Sequence, residues 1–363
     1  MTREEVFNFS AGPSVLPDEV LEIARRDIFN FGGTGTSVME MSHRSKVFME
    51  IHENTKAKLK SALSVPDNYE VLFLQGGATL QFSMIPMNLM KEGAGKADYC
   101  VTGNFSGVAA KEAKRYGTVN ICASSEAENH TYIPAQSELK LDSAADYFFY
   151  CDNNTIYGTE WTYVPETGNV PVVCDMSSNI LSKPVDVSKY GLIFAGAQKN
   201  MAPAGLTVVI VDKALAGHEM AITPMVMNYK TMIDKDSMLN TPPCWNIYML
   251  GLVLDWLEKQ GGVAGMETIK SEKAKLLYSF LDESKLFKGC ARADSRSDMN
   301  ITFRTGNDDL DSAFVKGAAA KGFSNLKGHR VVGGMRASVY NAQPIEGVRK
   351  LVEFMKEFEV ANV

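Results

Sequence analysis

No run of apolar residues in the chain approaches the roughly 20 that a membrane-spanning helix requires, and the opening MTREEVFNF places charge where a secretory signal would need an apolar stretch. Both point to a cytoplasmic protein. Nor is there a basic excess: 37 Lys and Arg stand against 43 Asp and Glu, a net charge of −6, which argues against a nucleic-acid or membrane-surface partner. Cysteine is sparse and dispersed. Cys100, Cys122, Cys151, Cys174, Cys244 and Cys290 form no CxxC pair and have no histidine cluster beside them, so reduced thiols are expected, with no disulfide and no metal site. Neither GxxxxGK[ST] nor a GxGxxG after a strand occurs, which removes those two modes of nucleotide binding. Internal repeats and low-complexity tracts are missing too.

What is present is a 363-residue chain with 45% hydrophobic residues, enough for a large core and two domains. Short apolar segments, YEVLFL, ADYCV, ADYFFYC, VPVVCD, YGLIFAG and LTVVIV, are separated by loops or by helical stretches such as FSGVAAKEAKRYG. That order predicts an α/β fold, a mainly parallel sheet with helices on both faces. The stretch LIFAGAQKNMAPAGLTVVIV is too tight for a crossover helix, so one strand should run antiparallel. Helices are expected over Asp18 to Phe31, with Asp18 available as a cap after Pro17, and over VFMEIHENTKAKLKSAL. A third, NIYMLGLVLDWLEKQ, stops at Gly261-Gly262, which marks a boundary between a large domain, 15–260, and a smaller α/β domain, 261–363, joined by the N-terminal segment 1–14.

Anionic ligands on an acidic protein need local basic groups, and these are few. Lys199 lies between two apolar runs, 24 positions after Asp175 in VPVVCDMSSNIL. A lysine that attacks a carbonyl needs a positioned, poorly solvated amine, and a pyridine ring needs an anion to keep its nitrogen protonated. The pair therefore suits a pyridoxal-phosphate site, although a lysine in such a loop is more often a solvated charge. QGGAT, Gln75 to Thr79, joins a strand to a helix, where backbone N–H groups and the helix N-terminus suit a phosphate. Two of only five histidines directly precede arginines, His43-Arg44 and His329-Arg330, and Arg336 follows closely in GGMRAS. Guanidinium forks suit carboxylates and phosphates, so together they favour a small ligand with several negative charges. Phe105 in TGNFSG could stack on a flat ligand or be core. Thr155 stands at a strand end, and Asn240-Thr241-Pro242-Pro243 reads as a cap and rigid lead-in for the third helix.

Taken together, FNFSAGPSVLP, EMSHRS, QGGAT, CDNNTIYGTEW, DMSSNILSKPVDVSKYGLIFAGAQKN, PAGLTVVIV, NTPP and KGHRVVGGMRASVYNAQPIEGV resemble the phosphoserine aminotransferase family over nearly the whole chain. GAQKN with the upstream DMSS, and GHRxVGGxRAS, are the specific elements. The resemblance implies a fold type I pyridoxal-phosphate transferase with a seven-stranded large-domain sheet, pyridoxal 5'-phosphate as cofactor, and a homodimer with shared active sites. It implies that Lys199 binds the cofactor covalently and that Asp175 pairs with its ring nitrogen. Phe105 would cover the ring, Thr155 would bond near its hydroxyl or to Asp175, and the backbone of Ala78 and Thr79 with Gln198 would hold the phosphate. Asn240 and Thr241 would reach the neighbouring subunit's phosphate. Arg336 would take the substrate α-carboxylate, while His43, Arg44, His329 and Arg330, some from the second subunit, hold the distal carboxylate of glutamate or the phosphate of phosphoserine; Ser10 would border that pocket. The implied reaction exchanges an amino group between L-glutamate and 3-phosphohydroxypyruvate, a step of serine synthesis, with the related four-carbon phosphorylated oxo acid of pyridoxine synthesis as a second acceptor. Relatives often carry Trp at the Phe105 position and some carry Arg at the Thr79 position, so this chain stacks less area and has one fewer phosphate contact.

Overall fold

In the computed structural model, which describes residues 1–363, seven strands form the central sheet: β1 (Tyr69–Leu74), β2 (Lys96–Val101), β3 (Thr118–Ser124), β4 (Tyr147–Cys151), β5 (Val172–Asp175), β6 (Leu192–Gly196) and β7 (Thr207–Asp212). Their spatial order is β1-β7-β6-β5-β4-β2-β3. Strand β7 runs antiparallel to both its neighbours and the remaining pairs are parallel, as the short β6–β7 connection requires.

The apolar runs of β4, β5 and β6 are continuous because both faces of the sheet are covered. Along β4 the side chains alternate between two cores. Phe148 and Tyr150 join the cluster under Phe48, Leu59, Ile247 and Leu250, whereas Tyr147, Phe149 and Cys151 join Phe82, Ile85, Ala109 and Ala113. The first core is closed by the helices Lys46–Ala62 and Cys244–Lys259, the second by Gly77–Leu89 and Asn104–Ala113. The parallel strands β2, β4 and β5 all end on the same edge, at Val101, Cys151 and Asp175, which is where open α/β sheets place ligands.

A second, antiparallel sheet follows, β8 (Lys288–Gly289), β9 (Asn300–Arg304) and β10 (Met335–Ser338), flanked by helices Gly262–Glu283, Asp308–Ala320 and Ile345–Asn362. Its core is a phenylalanine cluster including Phe280, Phe287, Phe303, Phe314 and Phe354. Phe7–Asn8 pairs in parallel with Phe323–Ser324, and Phe9 is buried in the same cluster.

Three local expectations are corrected. The first helix ends at Asp27, not Phe31, because a separate turn over Phe31–Gly33, with Gly32 and Gly33 at φ of +54° and +79°, redirects the chain. Asp18 is its first helical residue, and Pro17 holds the cap position. The Leu/Trp helix starts at Cys244, after Pro243, so Asn240 does not cap it. All six cysteines are free, and no helix is long and apolar enough to cross a membrane.

Candidate active site

Asp175 is the last residue of β5, and Lys199 sits in the connection, residues 197–206, between β6 and β7. Lys199 Nζ donates to Thr155 Oγ1 and Ser178 Oγ, each at 2.8 Å, and the two hydroxyl oxygens are 2.6 Å apart. Burial pushes the Lys199 ammonium down to about 8, with Asp175 opposing and Arg336 adding to the shift. Burial also pushes the Asp175 carboxyl up, against the pull of Lys199 and of Ser177, whose N–H donates to Asp175 Oδ1 at 2.8 Å. The amine is therefore a competent nucleophile close to neutral pH. Capture of pyridoxal phosphate by the cofactor-free protein should accelerate about tenfold per pH unit below 8 and level off above it, as the unprotonated fraction does. Stopped-flow absorbance would show this, and a rate still climbing steeply to pH 10 would contradict it.

The N-terminal segment holds this loop from outside. The Ser14 N–H donates to the Gln198 carbonyl at 2.9 Å, and Ser14 Oγ donates to the Lys199 carbonyl. Gly12, at φ +126°, lies so close that a Cβ there would stand 3.2 Å from Lys199 Cγ. Phe105 occupies the first turn of the helix Asn104–Ala113, and its ring centroid is 5.8 Å from Lys199 Nζ. With 38% of its surface exposed, it has a ring face free to stack.

QGGAT forms a tight strand-to-helix joint. Gly76 and Gly77 adopt φ of +91° and +67°, and the helix Gly77–Leu89 begins there. Leu80 is the first residue whose N–H finds a backbone acceptor, Gly76 O at 3.3 Å, which leaves the N–H groups of Gly77, Ala78 and Thr79 without backbone partners, as a phosphate cradle needs. A Cβ on Gly76 would meet the Leu80 side chain at 2.4 Å. Gly76→Ala should therefore cost about 1–3 kcal/mol of stability and weaken cofactor binding about tenfold, while turnover of the loaded protein stays near normal. Thermal unfolding and cofactor titration would check both. Gln198 packs its side-chain amide over Gly196. Asn240 and Thr241 are exposed and touch the same loop, Asn240 Nδ2 donating to Gln75 Oε1 at 2.9 Å and Gln75 Nε2 to the Thr241 carbonyl at 3.0 Å.

Arg336, on β10, reaches across from the second sheet, its Nη1 donating to the Thr155 carbonyl at 3.1 Å. Its Nε is buried without a partner, so the guanidinium keeps an unspent donor beside Lys199, as a carboxylate site needs. His329 belongs to the same cluster: burial, then Arg336 and Arg330, hold its imidazole below the usual range. Its Nδ1 accepts from the Val331 N–H at 3.3 Å, and Arg330 is exposed. His43 and Arg44 stand apart, in the turn before the helix Lys46–Ala62. Arg44 is exposed, His43 Nε2 is buried without a partner, and no hydrogen bond or ion pair of theirs leads to Lys199. The Ser10 N–H is held by Asn8 Oδ1 at 3.0 Å.

Ser178, Ser177 and Ser14 were not singled out in the sequence, although they position the central pair directly. The polar run DMSSN straight after an apolar strand was the available signal for the first two. A buried carboxylate, a depressed amine, an exposed aromatic face and three free helical N–H groups match the ring nitrogen, carbonyl, ring face and phosphate of pyridoxal 5'-phosphate. The residues present therefore fit that group.

The aminotransferase class-V family model matches residues 6–351. The chain is 52% identical over 359 residues to the phosphoserine aminotransferase of Bacillus cereus, with 99% of both covered. It is also 52% identical over 354 residues to that of Laribacter hongkongensis, covering 97% of this chain and 98% of the relative. Among solved structures, phosphoserine aminotransferase from Bacillus circulans subsp. alkalophilus aligns with a TM-score of 0.97 at 46% identity, covering 99% of this chain and 100% of that one. The pyridoxal-phosphate-bound enzyme from Trichomonas vaginalis aligns at 0.92 and 40% identity, covering 97% and 99%. On the family match and the near-full-length similarity in sequence and fold, the chain belongs to the aminotransferase class-V family, alongside the phosphoserine aminotransferases.

Proposed function

We propose that the protein is a pyridoxal-phosphate-dependent transaminase that moves an amino group between L-glutamate and 3-phosphohydroxypyruvate, yielding 2-oxoglutarate and O-phospho-L-serine. The observation that carries this is the placement of Arg336, with its unspent donor, beside the buried Lys199, with His329 and Arg330 clustered on Arg336. When bound, the cofactor supplies an electron sink for the carbanion at the substrate Cα. Asp175 holds the ring nitrogen protonated, and Ala78, Thr79 and Gln198 hold the phosphate. Thr155 and Ser178 orient Lys199 Nζ, which takes the Cα proton and returns it during transfer. Arg336 grips the α-carboxylate and so turns the Cα–H toward Nζ. His329 and Arg330 hold the distal phosphate or carboxylate.

A homodimer completes that pocket. Asn240, Thr241 and Arg44 are exposed in the single chain, and the exposed Val226 lines the same hollow as Gln75, Gly76 and Asn240. Apolar surface beside a phosphate loop favours a second copy there, bringing its His43 and Arg44 to the first copy's substrate. Largely separate cores support a division into 15–260 and 261–363, with Met266 reaching back into the first core; segment 1–14 joins the two, Phe7 and Phe9 packing on the smaller one and Gly12 and Ser14 on the Lys199 loop, and free thiols suit a cytoplasmic location.

The test is a half-reaction scan: mix the loaded protein with phosphoserine, glutamate, 4-phosphohydroxythreonine, alanine and aspartate, and follow loss of the visible band of lysine-bound pyridoxal. Phosphoserine and glutamate should bleach it fast and alanine slowly. Equal bleaching by alanine would refute the substrate assignment, and bleaching by 4-phosphohydroxythreonine would extend it to pyridoxine synthesis.

A further inference from the structure

Lys273, in the helix Gly262–Glu283, has no exposed surface and no acidic partner. One turn earlier, Lys270 pairs with Asp298 at 2.9 Å; Lys273 instead donates to three backbone carbonyls, those of Tyr340 at 2.6 Å, Asn341 at 3.2 Å and Gln343 at 3.1 Å. Burial alone pushes its ammonium down to about 7. An unpaired buried cation is costly, and an aliphatic side chain would fill the same space without that cost. What the lysine adds, in its ammonium form, is three N–H donors converging on one turn.

That turn links the arginine strand to the lysine loop. It follows β10, which carries Arg336. The Tyr340 hydroxyl donates to the Ala11 carbonyl at 2.8 Å and accepts from Asn300 Nδ2 at 3.1 Å. The Asn341 N–H donates to Asn200 Oδ1 at 3.0 Å, and Asn341 Nδ2 to the Leu181 carbonyl at 2.9 Å. Asn200 adjoins Lys199 and in turn donates to the carbonyls of Ile180 and Ser178 at 3.0 and 3.3 Å. One buried turn thus ties β10 to the loops after β5 and β6.

We infer that Lys273 is a positioning residue for substrate-carboxylate recognition: by gathering the three carbonyls of the Tyr340–Gln343 turn it fixes Arg336 at its working distance from Lys199. The inference rests on the proposed function, in which Arg336 takes the α-carboxylate. It concerns only how that arginine is held.

The experiment compares half-reactions of the loaded protein with O-phosphoserine and O-phosphoethanolamine, which lacks the α-carboxylate. The unaltered protein should strongly prefer phosphoserine. Lys273→Met should lower kcat/KM for phosphoserine about tenfold, mostly through KM, and leave the slower phosphoethanolamine rate unchanged, because a misplaced Arg336 costs only substrates that use it. Equal losses on both amines, or none, would overturn the inference and leave Lys273 a packing residue. If Lys273→Met does not fold, Asn341→Ala cuts the same turn from Asn200 and should show the same selective loss; unchanged preference in that variant would overturn the inference as well. Absence of preference in the unaltered protein would instead refute the Arg336 assignment, and the inference with it.

Discussion

Lys199→Ala should stop transamination, lowering turnover by about 10⁴-fold or more while leaving the fold intact. The reason is that no neighbouring group can take over. Around Nζ stand two hydroxyls, Thr155 and Ser178, which are too weakly basic to take a Cα proton, and Arg336, which stays charged. The Asp175 carboxylate is a weak base and is already engaged with the Ser177 N–H. The variant should still bind pyridoxal phosphate, because the Gly76–Thr79 cradle and Asp175 are untouched, but without the visible band of the lysine-bound form. Small amines added to solution should restore part of the rate, since the cavity left by the side chain lies at the reacting position. Turnover within tenfold of the unaltered protein would contradict the assignment of Lys199.

Much of this arrangement was legible in the sequence, and the parts that were not share a physical cause. Strands β4 to β7 announce themselves because each is buried on both faces and reads as an unbroken apolar run. β3 does not: it is an edge strand, only Cys122 in it is fully buried, and TVNICAS has neither a continuous nor a cleanly alternating pattern, unlike the other edge strand, β1, which is buried along most of its length. The two-residue pairing of Phe7–Asn8 with Phe323–Ser324 is too short to leave any periodicity. At the site, Lys199 and Asp175 were visible because chemistry demands those residue types at strand ends. Ser178 and Ser14 were not, since a serine that orients a lysine looks like any turn serine until the chain folds. The two His-Arg pairs illustrate a further limit. His329-Arg330 joins Arg336 within the chain, whereas His43-Arg44 meets no part of that cluster, and dipeptide composition carries no information about where either pair comes to lie once the chain folds.

Asp175→Ala should lower turnover by about 10³- to 10⁴-fold with cofactor still bound. Isolated in this buried site the carboxyl is pushed toward its neutral form, and it is the positive charge facing it that draws it back. A protonated ring nitrogen supplies such a charge, so anion and cation stabilise one another where water cannot. Removing the anion removes the reason for the ring nitrogen to stay protonated, and with it most of the stabilisation of the Cα carbanion. The phosphate cradle and Lys199 remain, so occupancy should change far less than rate, the reverse of the pattern expected for Gly76→Ala. A second readout follows from the electrostatics of the pair. Asp175 is the main group holding the Lys199 ammonium up against burial, so its loss should move the midpoint of pyridoxal capture by the cofactor-free protein below pH 8. Asp175→Asn should show the same downward shift, because the amide keeps the shape of the side chain without its charge. If turnover of the loaded Ala variant stays near normal, or if the capture midpoint does not move, Asp175 is not the charge partner of this site.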